Sequence, residues 1–232
     1  MLNMSFVGLG TFERVWFFAI VWLGCDLVVL GIAHTCGAHR VFGKRPDGLV
    51  ALWGWFVFLP LLLGTHAIWH IVRMAIREPA YNVVSENLVI GRRLLPFEVD
   101  EEFANYVDLT AEFAEPRAVR RLPAYTCFPI LDGSAPTPSA LGGFVSSLRP
   151  GKTFVHCAQG HGRAGLFALA VLLKSGAART AEEGLVKLRS VRPRVGLTAA
   201  QRQCIEQYAN YLRLEESLSD SNLQPAVVGK IK

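Results

Sequence analysis

The chain has 232 residues, 51% of them hydrophobic and 19% charged, with a formal net charge of +5 at pH 7. That length holds one domain with a sizeable core plus an additional segment, and a mean hydropathy of +0.31 marks the additional segment as lipid-facing. From residue 77 onward basic residues outnumber acidic ones by only 19 to 16, a bias too weak for a nucleic-acid binder.

Two apolar runs come first. "VWFFAIVWLGCDLVVLGIA" (15–33) and "LVALWGWFVFLPLLLGTHAIWHIV" (49–72) are each long enough to cross a hydrocarbon core of about 30 Å. Neither shows the polar face of a helix packed on a soluble core, and neither carries the flanks of a cleaved signal peptide. Residues 1–76 are therefore expected to form a transmembrane helical hairpin, integral and multi-pass, with Trp16, His66, Trp69 and His70 towards the headgroup layers. Pro60 is expected to kink the second span, and Asp26 to be neutralised or to meet His66 or His70. The loop between the runs carries Arg40, Lys44 and Arg45 and the outer flanks carry Arg14, Arg73 and Arg77, so charge does not set the orientation. His34, Cys36 and His39 lie in a short polar turn, and no metal site is expected there.

The remainder alternates. Strands are expected at 87–94, 106–110, 124–130 and 152–157, and helices at 137–148, 164–175, 180–191 and 198–214. The last two helices open on Thr180-Ala-Glu-Glu183 and Thr198-Ala-Ala-Gln201, the pattern of a capping box. Such alternation predicts an α/β domain over 77–214 with a mainly parallel sheet flanked by helices, followed by a flexible tail over 215–232. The five cysteines, at 25, 36, 127, 157 and 204, have no pairing pattern and read as free thiols in a reducing compartment.

One loop carries chemistry. "CAQGHGR" (157–163) falls between a predicted strand and a predicted helix, where successive backbone N–H groups and the positive helix end favour a phosphate-sized anion. Gly160 and Gly162 would supply positive φ angles, and the planar fork of Arg163 could grip two phosphate oxygens. The same field favours the thiolate of Cys157, which makes it a nucleophile. The substrate cradle is thus Cys157, Ala158, Gln159, Gly160, His161, Gly162 and Arg163. Asp132, in the loop "FPILDGSAPT", is the candidate general acid, and Asp108 is expected to be structural.

"VHCAQGHGRAG" resembles the signature loop of the cysteine-dependent protein tyrosine phosphatase superfamily, dual-specificity branch. The resemblance runs over roughly residues 80–214 and is strongest to phosphatases of phosphatidylglycerophosphate or phosphoinositides. It implies a phosphocysteine mechanism with Cys157 as nucleophile, Arg163 as clamp, Asp132 as acid and His156 helping to set the thiol's acidity, with no cofactor or metal. Ala164 departs from the pattern, standing where the family usually has Ser or Thr. Three functions follow as expectations: a membrane-tethered phosphatase of phospholipid headgroups with its catalytic domain in the cytoplasm; a phosphatase of phosphotyrosine or phosphoserine/threonine proteins; or a phosphate-binding module with weak turnover. Arg92, Arg93, Arg117, Arg120 and Arg121 are expected to meet an anionic surface.

Overall fold

The computed structural model describes residues 10–99 and 102–222. A five-stranded sheet in the order β1-β2-β5-β3-β4 forms the centre, from β1 (Tyr81–Ser85), β2 (Leu88–Arg92), β3 (Asn105–Thr110), β4 (Tyr125–Ile130) and β5 (Thr153–Cys157). β1 pairs antiparallel with β2, and every other pairing is parallel. β5 is buried along its whole length between β2 and β3, as its apolar composition requires. Successive side chains leave a strand on opposite faces. Val155 and Cys157 therefore join the large core beneath the C-terminal helices, while Phe154 packs with Val89 and Tyr106 on the other face.

Helices α5 (Pro138–Ser146), α6 (Arg163–Lys174), α7 (Ala181–Val191) and α8 (Ala199–Asn222) cover the first face. The short α4 (Arg117–Arg120) precedes β4. Thr198 and Gln201 form the reciprocal capping box, with Gln201 N at 3.3 Å from Thr198 Oγ1 and Thr198 N at 3.1 Å from Gln201 Oε1. Thr180 caps Glu183 N at 3.1 Å, but Glu183 reaches back to Arg179 N instead. α8 continues to Asn222, so residues 215–222 are helical rather than the expected flexible tail, whose remainder lies outside the described residues.

The N-terminal third departs from a hairpin. α1 (Thr11–Cys36) contains Glu13–Cys36, the one described helix long and apolar enough to cross a membrane. The second apolar run is two helices, α2 (Leu52–Val57) and α3 (Leu59–Ala75), joined at Phe58. Pro60 does not kink a span; it sits in the first turn of α3, where its missing N–H has no intrahelical partner to lose. Trp22 Nε1 donates to Val57 O at 2.6 Å, and the Asp26 carboxyl lies beside the backbone of Leu61; both pairs are 35 residues apart. A constant offset means that α1 runs parallel to α2 and α3, whereas a hairpin requires antiparallel neighbours. Asp26 thus meets the N-terminal turn of α3, where a carboxylate is favoured, rather than His66 or His70.

Residues 37–51 bring the chain back along the α/β domain. Within this return Lys44 is fully buried and donates to Asp108 Oδ2 at 2.7 Å and to Phe113 O. Phe42, Val50, Phe58 and Leu62 share a core with Ala111 and Leu131 of the domain, and Trp69 of α3 reaches the loop that follows β5. Both ends of the second run thus pack on the domain, and the expected two-helix transmembrane hairpin is not shown. Phe18, Ile20 and Val28 of α1 and Phe56, Leu63 and Ile71 of the second run remain exposed, large apolar side chains concentrated on these helices.

Candidate active site

β5 ends at Cys157 and α6 begins at Arg163, so the intervening loop occupies the carboxyl edge of the central strand, at a helix N-terminus. The loop's first four carbonyls are engaged by donors outside it. Cys157 O accepts from Arg93 N at 2.8 Å, Ala158 O from Trp69 Nε1 at 2.8 Å, Gln159 O from Arg192 Nη2 at 3.0 Å and Gly160 O from Arg192 Nε at 3.0 Å. With four successive carbonyls engaged outside, the loop's N–H groups are left to face inward, and Gly160 N lies 3.3 Å from Cys157 Sγ. Gly160 has φ +78°, and a Cβ there would collide with the backbone carbonyl of Gly91, so only glycine fits. Gly162 has φ −82°; it caps α6 and does not take the positive φ expected of it.

Arg163 is buried and held by Glu112. Its Nη1 and Nη2 donate to the two Glu112 oxygens at 2.8 and 2.7 Å, and Nη1 also to Ile130 O at 2.9 Å. Its Nε has no protein partner and remains a donor for a ligand in the cradle. Burial alone would raise the Glu112 carboxyl, but the charge and hydrogen bonds of Arg163 outweigh it and hold the group below its ordinary value. Asp132 is 84% exposed and its Oδ1 lies 3.2 Å from Arg163 Nη2, which places a carboxyl at the mouth of the cradle. Cys157, Arg163 and Asp132 are therefore brought together as the sequence predicts. Of the other cradle residues, His161 turns away to Glu78 Oε2 at 2.6 Å.

The His156 ring faces away from the thiol whose acidity it was expected to help set. It leaves β5 on the face opposite Cys157, among Tyr106 and Phe154, with Nε2 3.9 Å from Asp108 Oδ1. Burial pushes it down to about 4, Asp108 notwithstanding, so the ring is neutral and brings no positive charge to the sulfur. Asp108 is structural, receiving Lys44, Thr110 Oγ1 at 2.7 Å and Tyr125 Oη at 2.9 Å. Among the described residues Asp108, Glu115 and His156 are the one grouping of metal-ligand type, and the Lys44 ammonium already supplies the positive charge there. Of the arginines expected to face an anionic surface, Arg92 is paired with Glu98 and Arg93 with Glu115, both at 2.7 to 2.8 Å, and Arg120 donates to Glu115 O; Arg117 and Arg121 are exposed.

Three residues that hold the site escape a reading of the sequence. Glu112 lies in "DLTAEFAE" between Asp108 and Glu115, and nothing in that stretch marks it as the partner of Arg163. Arg192, only 1% exposed, binds the loop carbonyls together with Asn82 Oδ1 at 2.7 Å and Glu78 Oε2 at 3.0 Å. Trp69 lies in what reads as a membrane span.

No family model and no curated protein matches the sequence. Solved structures do match the fold. The active form of Tk-PTP superposes with a TM-score of 0.51 at 23% identity, over 57% of this chain and 97% of its own. PTPMT1 in complex with PI(5)P gives 0.52 at 13%, over 60% and 99%, and a point variant of human DUSP28 gives 0.52 at 16%, over 59% and 99%. The chain has the fold of the cysteine-dependent tyrosine phosphatases. This phosphatase-like fold accounts for nearly all of each neighbour and leaves about two fifths of the present chain without a counterpart.

Proposed function

We propose that this protein hydrolyses phosphate monoesters through a phosphocysteine intermediate, while seated on a membrane, with a phospholipid headgroup phosphate as substrate. The observation that carries the reading is the outward rotation of the four carbonyls from Cys157 to Gly160, which turns the loop into an anion cradle around a cysteine sulfur. Phosphate oxygens bind the N–H groups of residues 158–163 and Arg163 Nε. Cys157 attacks phosphorus, the ester P–O bond breaks, and Asp132 protonates the departing oxygen. Water then attacks the phosphocysteine, Asp132 takes its proton, and the thiolate leaves. None of these steps calls on a metal or other cofactor.

Seating on a membrane is supported by the apolar surface of α1, α2 and α3. The parallel packing of these helices favours insertion from one side over two spans, and the nucleophilic thiol favours a reducing compartment such as the cytoplasm. The full chain in nanodiscs, assayed against p-nitrophenyl phosphate, phosphatidylglycerophosphate, phosphoinositides and phosphopeptides, tests the reading. Cys157→Ser should abolish turnover, Asp132→Asn should lower it about 10²-fold or more for poor leaving groups only, and EDTA should have no effect. Turnover that survives Cys157→Ser would overturn the mechanism, and a preference for phosphopeptides would overturn the substrate.

A further inference from the structure

Next to the cradle lies a cavity of 280 Å³. Its walls are Leu30 of α1, Leu61, Ile68 and Val72 of α3, and Phe113 and Leu131 of the catalytic domain. Its lining also includes Glu112, the partner of Arg163, and Asp132, Ala158 and Gln159, the proposed acid and two residues of the cradle. A largely apolar chamber thus adjoins the place where a phosphate ester would break. Trp69 forms part of the same wall and is fixed there by its bond to Ala158 O, which keeps the chamber and the cradle in register. Ile68 is 62% exposed, and the neighbouring Leu63 and Ile71 are 55% and 60% exposed, so the rim of α3 around the chamber is apolar on its outer side as well.

We infer that this chamber is an acyl-chain subsite: the substrate's phosphate enters the cradle while the first methylenes of its fatty acyl chain leave the membrane along α3 and lie between α1, α3 and Leu131. The inference rests on the phosphomonoesterase reading above and assigns the non-reacting part of the substrate. It gives the N-terminal helices a role in recognition in addition to attachment. A free phosphopeptide would leave the apolar walls uncovered, whereas a lipid buries them and the walls in turn select a chain.

The test uses the full chain in phosphatidylcholine nanodiscs and phosphatidic-acid-type monoesters with acyl chains of two, four, six and eight carbons. Each protein's kcat/KM is normalised to its own rate on p-nitrophenyl phosphate. Every methylene buried in the chamber should raise the normalised value about fourfold until the chamber is full. Partitioning of longer chains into the disc acts on all proteins alike, so the decisive quantity is the comparison with Val72→Phe and Leu61→Trp, which fill the chamber. With eight carbons the variants should fall at least tenfold below wild type, and with two carbons the difference should be much smaller. Variants that track wild type at every chain length would overturn the subsite and leave the phosphatase reading intact. Absence of Cys157-dependent turnover on p-nitrophenyl phosphate in wild type would instead overturn the phosphatase reading itself.

Discussion

Arg163 and Glu112 form a bidentate pair, with oxygen–nitrogen distances of 2.7 and 2.8 Å, inside the domain and immediately beneath the cradle. The pair fixes the plane of the guanidinium and leaves Nε without a protein partner, so on the proposed function Glu112 is a positioning residue for phosphate. Breaking a buried pair by removing one partner typically costs about 3–5 kcal/mol, because the other charge stays buried without compensation. Glu112→Ala should destabilise the chain by about that amount. Glu112→Gln retains one acceptor and should keep the fold, while lowering kcat/KM for p-nitrophenyl phosphate and weakening orthovanadate inhibition. If Glu112→Gln matches wild type in both, the pair contributes to stability alone.

Trp69 contributes a bond that crosses from α3 to the loop after β5. Trp69→Phe keeps an aromatic ring beside Phe113 and Arg93 but removes the donor to Ala158 O. A net hydrogen bond is worth about 0.5–1.5 kcal/mol, so kcat should fall about 2- to 10-fold if the bond orients the loop. The decisive measurement is orthovanadate affinity, which should fall in step with kcat. Unchanged kcat and vanadate affinity would show that Arg93 N and Arg192 suffice to orient the carbonyls.

The sequence made the candidate nucleophile, clamp and acid legible because Cys157 and Arg163 share one short loop, and Asp132 opens the loop after a readable strand. What it did not show depends on distant pairs. Glu112 is 51 residues from Arg163 and Trp69 is 89 from Ala158, and no local pattern announces either meeting. The parallel course of α1 and α3 was hidden for a similar reason: the length and apolarity of a run carry no direction. Direction is set by residues 37–51, where Lys44 reads as a loop charge yet is buried against Asp108. The arginines at 92 and 93 mislead in the same way, since their carboxylate partners come from turns that periodicity does not place.

His156 links the site's scaffold to pH. Burial holds it neutral, from an ordinary value of 6.5 down to about 4 in the folded chain. A group whose folded-state pKa is depressed in this way takes its proton first in the unfolded chain, so stability falls as pH drops from 6.5 towards 4. The loss across that window should be about 3 kcal/mol. Glu115, which burial pushes up to about 7, takes its proton first in the folded chain and opposes this loss over the same range, so the His156 contribution is read as the difference between wild type and His156→Gln in urea unfolding of the full chain in mild detergent. Equal slopes for the two proteins would remove His156 from the acid response and leave it to the carboxylates Asp108 and Glu112, which lose their native charge only at lower pH.

Ala164 bears on the second chemical step. It is the second residue of α6, fully buried directly after Arg163, and has no hydroxyl to stabilise the thiolate as it leaves phosphorus. One such donor is worth about 2.7 to 4 kcal/mol where it is the main stabiliser. Here Gly160 N, 3.3 Å from Cys157 Sγ, and the N-terminus of α6 already act on the sulfur, so the missing donor should slow breakdown by less than that. The first step, in which the ester oxygen leaves, should be nearly unaffected. With p-nitrophenyl phosphate the chain should then release close to one product per active site in a burst, followed by a slower steady rate. Ala164→Ser should raise the steady rate about tenfold and shrink the burst, with a melting temperature close to wild type showing that the buried hydroxyl is accommodated. A linear time course from the first milliseconds, with no gain from Ala164→Ser, would show that breakdown of phosphocysteine does not limit turnover.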